Sequence, residues 1–250
     1  MMRRVLALAL ALSVLIGVSL GLLGGGGSIL TVPILTYVAG MPPKAAIASS
    51  LFVVAITSAT GAITHARAGR IRWRTAVLLG AAGMAGAFAG GHVAGLLAGH
   101  VLMLMFAGMM LATSIAMMRG RRAAPAVARE LPVARVLAYG VAIGLVAGTV
   151  GAGGGFLIVP TLVLLGGLPI DAAVGTSLVV IAMQSAAGFV GHLGHASLDM
   201  PRTLAITAAA VAGSFVGGAL VGRVSAATLR RGFGVFVLLM AILVLARELS

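Results

Sequence analysis

The stretch GLLGGGGSILTVP, residues 21–33, decides how this chain folds, and it returns as GTVGAGGGFLIVP at residues 148–160. The two copies lie 127 residues apart, and 20 of 45 positions are identical when residues 21–65 are compared with residues 148–192. Composition alone would give about 5 identities, so the chain contains an internal repeat. In each copy a run of glycines interrupts helical, strongly apolar sequence.

Composition indicates a membrane protein. The 250 residues are 61% hydrophobic and 8% charged, whereas soluble domains carry about 25% charged residues. We therefore predict an all-α integral membrane protein that crosses the lipid bilayer several times. The net charge of +13 comes from basic residues between apolar spans, which indicates membrane orientation and not nucleic-acid binding. The absence of cysteine excludes disulfides and thiol chemistry.

The apolar spans fall into two similar sets. We predict about eight transmembrane helices in two homologous four-crossing repeats, each with a glycine-rich helix break and a half-helix. The first repeat covers residues 1–118 and the second covers residues 133–250, with a cytoplasmic basic linker at residues 119–132. Residues 1–24 resemble a signal peptide, but their internal counterpart favours a retained first helix. The half-helices are either re-entrant or stacked end-on.

Basic residues give the expected orientation. With four net crossings in each half, thirteen of the 17 basic residues fall on the cytoplasmic side, together with both termini and the linker. Repeats with an even number of crossings share one orientation. We therefore expect them to be related by an axis along the membrane normal.

The glycine breaks predict a transport site. Broken helices survive at membrane depth only where protein covers them or they line a wet cavity, and equivalent breaks in two halves mark a binding site. The N–H groups that begin each half-helix attract anions, and no Arg or Lys lies mid-span in this layout. Close helix packing is the alternative, and it better explains glycines spaced by about four residues. These are Gly80, Gly83, Gly86, Gly90, Gly213 and Gly217.

Hydroxyl residues after each proline turn extend this site. They recur in both halves, although each could instead bond the carbonyl four residues earlier. Further polar pairs on the same spans are Thr57 with Gln184 and Ser58 with Ser185. The predicted substrate-binding residues are Gly24, Gly25, Gly26, Gly27, Ser28, Ser49, Ser50, Gly151, Gly153, Gly154, Gly155, Thr176 and Ser177.

Two histidines are paired by the repeat. His65 and His192 are expected at the cytoplasmic ends of their spans, where they serve either as interface residues or as a proton relay, because histidine titrates near neutral pH. Two histidines without Cys or a nearby carboxylate make a poor metal site. We predict no metal and no cofactor.

The repeated features together resemble the sulfite exporter TauE/SafE family, also called toluenesulfonate uptake permeases. The resemblance rests on the glycine-rich break followed by Val-Pro, the proline turn leading to Ala-Ala and a Ser, and the later histidine, each present in both halves. It covers almost the whole chain apart from the linker. It implies a bacterial inner-membrane permease for sulfite, sulfonates or related organosulfur anions.

The expected function is a secondary transporter for a small anion, working by alternating access of two similar halves, and not an enzyme. A passive anion channel of the same architecture is the main alternative. A membrane assembly factor or enzyme is a third, weakened by the lack of an acid–base cluster, a metal-ligand set or an activated nucleophile. The substrate, the direction of transport, the coupling ion and the formation of a homo-oligomer stay open.

Overall fold

The computed structural model describes residues 2–23, 26–118, 132–164, 166–220 and 226–249, and every regular element among them is helical. This confirms the all-α class for the described residues. The helices are α1 (Met2–Leu23), α2 (Thr31–Pro33), α3 (Pro43–Arg67), α4 (Trp73–Leu96), α5 (Gly99–Met118), α6 (Val133–Val150), α7 (Gly155–Leu164), α8 (Ile170–His192), α9 (Met200–Leu220) and α10 (Ala226–Leu249).

Five of the described helices are long and apolar enough to cross a membrane, namely α3, α4, α5, α6 and α8. The distribution of side chains agrees with this. Large apolar side chains such as Phe88 and Leu239 are 45% and 60% exposed. Hydroxyl side chains such as Ser50 and Thr176 are fully buried. In a water-soluble protein large apolar side chains are mostly buried and polar side chains are mostly exposed, so this surface suits contact with lipid.

Proline fixes where the two central helices begin. α3 starts directly after Pro42, and α8 starts directly after Pro169. Both prolines have φ of −55°, with ψ of 145° and 147°. This extended conformation precedes a helix but cannot continue one. The proline turns predicted before these spans are thereby confirmed.

The segments that follow the glycine runs are short. The first consists of a 3₁₀ turn at Gly26–Leu30, the single turn α2 and a π-helical turn at Ile34–Val38. In the second half the corresponding helix is α7, which has 10 residues with Pro160 inside. At a rise of about 1.5–2 Å per residue, neither segment spans a hydrocarbon core of about 30 Å.

Both short segments fold back alongside the helix that precedes them. A Cβ atom built on Gly27 would lie 2.6 Å from the backbone nitrogen of Leu20 and 2.7 Å from the carbonyl oxygen of Ile16, both in α1. A Cβ on Gly154 would lie 3.0 Å from the Cβ of Ala147 in α6. In both halves the described chain has therefore turned back towards the preceding helix after the break, which favours a re-entrant hairpin over end-on stacking.

The central helices α3 and α8 run antiparallel. The side chain of Leu51 lies 3.3 Å from a Cβ built on Gly188, and that of Leu178 lies 3.5 Å from a Cβ built on Gly61. As the residue number rises along α3, the number of its partner in α8 falls. The two contacts are equivalent by the repeat, because Leu51 corresponds to Leu178 and Gly188 corresponds to Gly61.

Two opposite faces of the helix bundle follow from these directions. At one face, called here the terminal face, the Tyr37 hydroxyl donates a 2.9 Å hydrogen bond to the Glu248 carboxylate at the end of α10. Leu10 of α1 packs beside Met41 at the same face. At the other, the linker face, Met117 near the end of α5 lies 3.3 Å from a Cβ built on Gly234 in α10.

The expectation that the termini and the linker share one face is wrong. Each hairpin returns the chain to the face where the hairpin began, so only α3, α4 and α5 carry the first half from the terminal face to the linker face. Helices α8, α9 and α10 carry the second half back. The two halves therefore run in opposite directions, and the four net crossings expected per half become three. Residues 119–131 of the linker lie outside the described residues.

Glycines bring α1 against α9 and α4 against α6. A Cβ on Gly17 would collide with the carbonyl oxygen of Ala210, and a Cβ on Gly144 would collide with that of Gly83. Small residues allow such close backbone approach between helices in a membrane. The packing role predicted from the four-residue spacing is thereby confirmed for Gly86, Gly90, Gly213 and Gly217, whose Cβ atoms would also collide with carbonyl oxygens of the facing helix.

Candidate functional site

The second glycine break has a backbone that favours glycine. Gly151, Gly153 and Gly154 have φ of +80°, +63° and +70°, in the left-handed region, where other residues are strained. Gly151 also caps α6, since its N–H donates a 2.9 Å hydrogen bond to the Ala147 carbonyl. Helix α7 begins at Gly155, and the N–H groups of Leu157 and Ile158 donate to the Gly154 carbonyl. Only the N–H groups of the first two residues of α7 can therefore act as donors towards the break.

Gln184 of α8 lies directly beside this break. Its side chain is fully buried, and neither its amide oxygen nor its amide nitrogen has a hydrogen-bond partner among the described residues. The Oε1 atom lies 3.3 Å from a Cβ built on Gly154. Burying an amide without partners costs about 1–3 kcal/mol. Such a group needs a partner that the described residues do not supply, either water or a ligand.

A serine next to Gln184 in sequence shares this environment. The Oγ atom of Ser185 lies 2.9 Å from a Cβ built on Gly153, so its hydroxyl also faces the break. Ser58 of α3 is the residue that corresponds to Ser185 in the first half. Both hydroxyls are fully buried and have no hydrogen-bond partner in the described part of the chain. With Gln184, Ser185 supplies hydrogen-bond donors without charge.

The hydroxyl of Ser50 has a different role. It donates a 2.9 Å hydrogen bond to the carbonyl oxygen of Gly151, so it connects α3 to the second break. Ser177, its counterpart in α8, donates 2.8 Å to the Val174 carbonyl of its own helix. Ser50 therefore supports the backbone of the second break, whereas this bond of Ser177 stays within α8.

Ser49 and Thr176 connect the central helices to neighbouring helices. The Thr203 hydroxyl of α9 donates a 3.1 Å hydrogen bond to that of Ser49. The hydroxyl of Thr176 accepts a 3.0 Å hydrogen bond from the backbone N–H of Arg72, the residue before α4. Because α3 and α8 are antiparallel, these two residues lie towards opposite faces of the bundle, and they do not join one cluster.

The first break is described only in part. Gly24 and Gly25 lie outside the described residues, and Gly26 begins the 3₁₀ turn. Gly27 and Ser28 are buried, and Gly27 packs on the backbone of α1. The assignment of these residues to substrate binding stays a prediction.

His65 and His192 lie at opposite faces of the bundle. His65 lies near the linker face, where its Cβ is 3.0 Å from a Cβ built on Gly175 near the start of α8. His192 lies near the terminal face, and its Nδ1 is 2.9 Å from the Gly188 carbonyl. The expectation that both histidines occupy the cytoplasmic ends of their spans is wrong, because α3 and α8 are antiparallel. A proton relay through either histidine stays a prediction.

Several of the residues predicted from sequence lie together at the second break. The structure brings together Gly151, Gly153, Gly154, Gly155 and Ser50. Sequence analysis recorded Gln184, Ser185 and Ser58 as polar pairs but left them out of the site. Their spacing carried a usable signal, because Gln184 and Ser185 lie seven and eight residues after Ser177, on the same helical face.

Comparison with known proteins decides the family. A family profile described as "Sulfite exporter TauE/SafE" matches residues 9–244. The chain belongs to this family. A "Probable membrane transporter protein" of Xylella fastidiosa (strain 9a5c) is 35% identical to it over 241 residues, which cover 94% of this chain and 92% of the relative.

Relatives with the same description occur in distant organisms. A probable membrane transporter protein of Bacillus subtilis (strain 168) is 26% identical over 81% of this TauE/SafE chain and 85% of its own length. One of Methanocaldococcus jannaschii is 31% identical over 74% and 73%. No solved structure gives a significant match. This chain is therefore a member of a family of membrane transporters, with helices suited to a lipid bilayer.

Proposed function

We propose that this TauE/SafE protein is a secondary transporter for a small anion, most simply sulfite, a sulfonate or a related organosulfur anion. The observation that carries the proposal is the unpartnered, fully buried amide of Gln184 beside the second glycine break. The hydroxyl of Ser185 and the N–H groups of the first two residues of α7 add donors around it. The described residues of this site are uncharged.

A neutral set of donors suits an anion that must bind and then leave. Hydrogen bonds to a charged ligand are worth about 1.5–3 kcal/mol each, so several of them offset much of the cost of desolvation. A buried Arg or Lys would hold an anion more tightly and slow its release. The donors at the start of a helix bind anions without such a cation.

Alternating access is the mechanism that the helix directions favour. The two halves contain the same order of elements and run in opposite directions, which is the arrangement of inverted-repeat transporters. Such a pair is related by an axis in the membrane plane, and not along the membrane normal as first expected. We infer that each half can adopt the conformation that its partner shows here.

The two halves differ in packing at equivalent positions. A Cβ on Gly188 would lie 3.4 Å from the Cα of Gly148. The equivalent glycines of the other half are Gly61 and Gly21. Among the described residues, a Cβ on Gly61 has only the side chain of Leu178 within 4 Å, so it does not contact Gly21. The helices are thus closed together towards the terminal face and separated towards the linker face.

A second pair of glycines shows the same difference. A Cβ on Gly91 would lie 2.8 Å from the carbonyl carbon of Gly191, whereas a Cβ on the equivalent Gly218 meets no described atom within 4 Å. The space between the separated helices is a cavity of about 170 Å³. A bundle that is open at one face and closed at the other favours a transporter over a passive channel, because a channel needs a continuous path across the membrane.

Basic residues now suggest a different orientation. By position along the chain, twelve of the 17 basic residues belong to segments at the linker face. We propose that this face is cytoplasmic and that both termini lie outside, in a bacterial inner membrane. The twelve are Arg67, Arg70, Arg72, Arg74, Arg119, Arg121, Arg122, Arg129, Arg135, Arg223, Arg230 and Arg231.

Transport in proteoliposomes tests this function. Purified protein is reconstituted, and the uptake of labelled sulfite, sulfate and methanesulfonate is measured with and without an imposed proton gradient. We expect one sulfur oxyanion to accumulate above its external concentration when a gradient drives it. Uptake that only equilibrates the anion under every gradient would favour a channel, and no uptake of any of the three would contradict the proposed substrate class.

A further inference from the structure

The cavity at the linker face is separate from the glycine-break site. It lies between α1, α3, α8 and α9, and its wall contains none of the residues around Gln184. Its volume of about 170 Å³ is enough for several waters or a small oxyanion. Gly21, three residues before the first glycine run, and Gly61, one turn from Ser58, form its inner wall. The cavity therefore leads from the linker face towards the centre of the bundle.

The outer wall of this cavity carries the groups that bind oxyanions. Arg70, in the loop after α3, lines it together with Thr64 and His65 of the last turn of α3. An arginine side chain keeps its charge and presents several N–H donors in a planar fork. His65 is largely buried, and its Nδ1 atom has no hydrogen-bond partner among the described residues.

The second half of the chain does not repeat the arginine and the threonine of this wall. At the offset of 127 residues, Thr64 corresponds to Gly191 and Arg70 corresponds to Ser197. The terminal face thus has a serine in place of the arginine and a glycine in place of the threonine, although histidine is kept there as His192. The cationic wall is specific to one face and is not a consequence of how the halves pack.

We propose that this cavity is a second anion-binding subsite, in which Arg70 and Thr64, beside His65, hold a small sulfur oxyanion between the cytoplasmic face and the central site. This inference rests on the proposed function, because it places a second binding site on the transport pathway of the anion. Arg70 forms the charge-assisted hydrogen bonds and Thr64 donates one more. An alkyl group on the sulfur would face the apolar side chains of Leu178 and Phe215.

Cysteine chemistry tests the subsite without requiring transport. The chain contains no cysteine, so Ala68→Cys places a single thiol in the cavity wall, with Phe215→Cys as a second position if the first variant does not fold. The thiol is reacted with an anionic reagent, 2-sulfonatoethyl methanethiosulfonate, and with its cationic trimethylammonium analogue. Each rate is divided by the rate of the same reagent with a free thiol in solution.

We expect the anionic reagent to react about tenfold faster than the cationic one, because a local cation concentrates anions. Arg70→Gln should reduce the ratio to about one, and Arg67→Gln, a neighbouring arginine outside the cavity wall, should leave it unchanged. Millimolar methanesulfonate should slow the labelling of the parent but not of Arg70→Gln. A ratio that Arg70→Gln leaves unchanged, or labelling that methanesulfonate does not slow in the parent, would overturn the subsite.

The result separates this inference from the proposed function. If the proteoliposomes show no transport but labelling follows the expected pattern, the cavity binds oxyanions and the transport proposal fails. If transport is normal but the anionic reagent has no advantage, the protein transports its anion without this subsite.

Discussion

The hydroxyl of Ser50 donates a 2.9 Å hydrogen bond to the carbonyl oxygen of Gly151. Ser50 belongs to the first half of the chain and Gly151 to the glycine break of the second half. The geometry of the second break therefore depends on the other half. A site made in this way changes shape when the halves move relative to each other, as alternating access requires.

Ser50→Ala should destabilise the protein, because it leaves the buried Gly151 carbonyl without a donor. The expected loss in free energy of unfolding is about 1–3 kcal/mol, seen as a lower melting temperature in detergent. Thr60→Ala is the control, since this half-exposed hydroxyl bonds only carbonyls of its own helix, those of Ile56 and Thr57. If Ser50→Ala and Thr60→Ala melt at the same temperature, the hydrogen bond to Gly151 contributes little.

Gly153→Leu should abolish transport while the protein still inserts. Its φ of +63° strains other residues, and even a Cβ atom would lie 2.6 Å from the Val54 side chain. We expect the same defect for Gly26→Leu, the equivalent position. Gly108→Ala is the control, because a Cβ there meets no described atom within 4 Å. Normal uptake by Gly153→Leu would remove the break from the substrate path.

Gly83→Ala, by contrast, is no simple packing control. A Cβ on Gly83 would collide with the amide of Gln184. Although this glycine packs α4 against α6, the substitution would also displace a residue of the proposed site. We therefore expect Gly83→Ala to change anion affinity as well as stability, and the matched packing variant is Gly213→Ala.

Gly188→Ala should shift the protein away from the state seen here. The added methyl group would lie 3.3 Å from Leu51 and 3.4 Å from Gly148, which opposes closure of the terminal face, whereas Gly61→Ala gives an ordinary contact of 3.5 Å. A shift of about 1 kcal/mol changes populations about fivefold. The alkylation rate of Ala68→Cys reports it. We expect Gly188→Ala to lower this rate and Gly61→Ala to maintain or raise it; equal rates would argue against two exchanging conformations.

The inverted arrangement predicts that the linker and the chain ends lie on opposite sides of the membrane. Single cysteines are placed at Pro125 in the linker and at Leu249, which is 74% exposed at the end of α10. An impermeant thiol reagent applied to right-side-out cells should label Leu249→Cys and spare Pro125→Cys. Labelling of Pro125→Cys alone would reverse the orientation, and equal labelling of both would contradict the inverted arrangement.

Sequence reasoning succeeded where local chemistry decides the structure. The proline turns at Pro42 and Pro169 and the glycine spacing along α4 and α9 act within a few residues, so their patterns are readable. The hairpins depend on Gly27 packing against Ile16 and Leu20, a contact that no local pattern shows. Counting basic residues then gave the wrong topology, because it treated each hairpin as part of a crossing.

The central donors were missed for a related reason. A buried glutamine or serine in a membrane helix usually satisfies itself locally, as Thr57 does by donating 2.6 Å to the Val53 carbonyl. Only the packed structure reveals that Gln184, the counterpart of Thr57, has no such partner among the described residues. The sequence shows that both positions are polar but not which one is free to bind a ligand.

Binding of sulfite to the Gln184→Leu variant tests the central claim most directly. Leucine is apolar and of similar volume, so it removes two unpartnered polar atoms, and the melting temperature should hold or rise. Calorimetric titration with sulfite should show affinity about tenfold or more below that of the parent, since a hydrogen bond to an anion is lost. Thr57→Val should bind normally. Unchanged sulfite affinity in a well-folded Gln184→Leu protein would contradict an anion site beside the second glycine break.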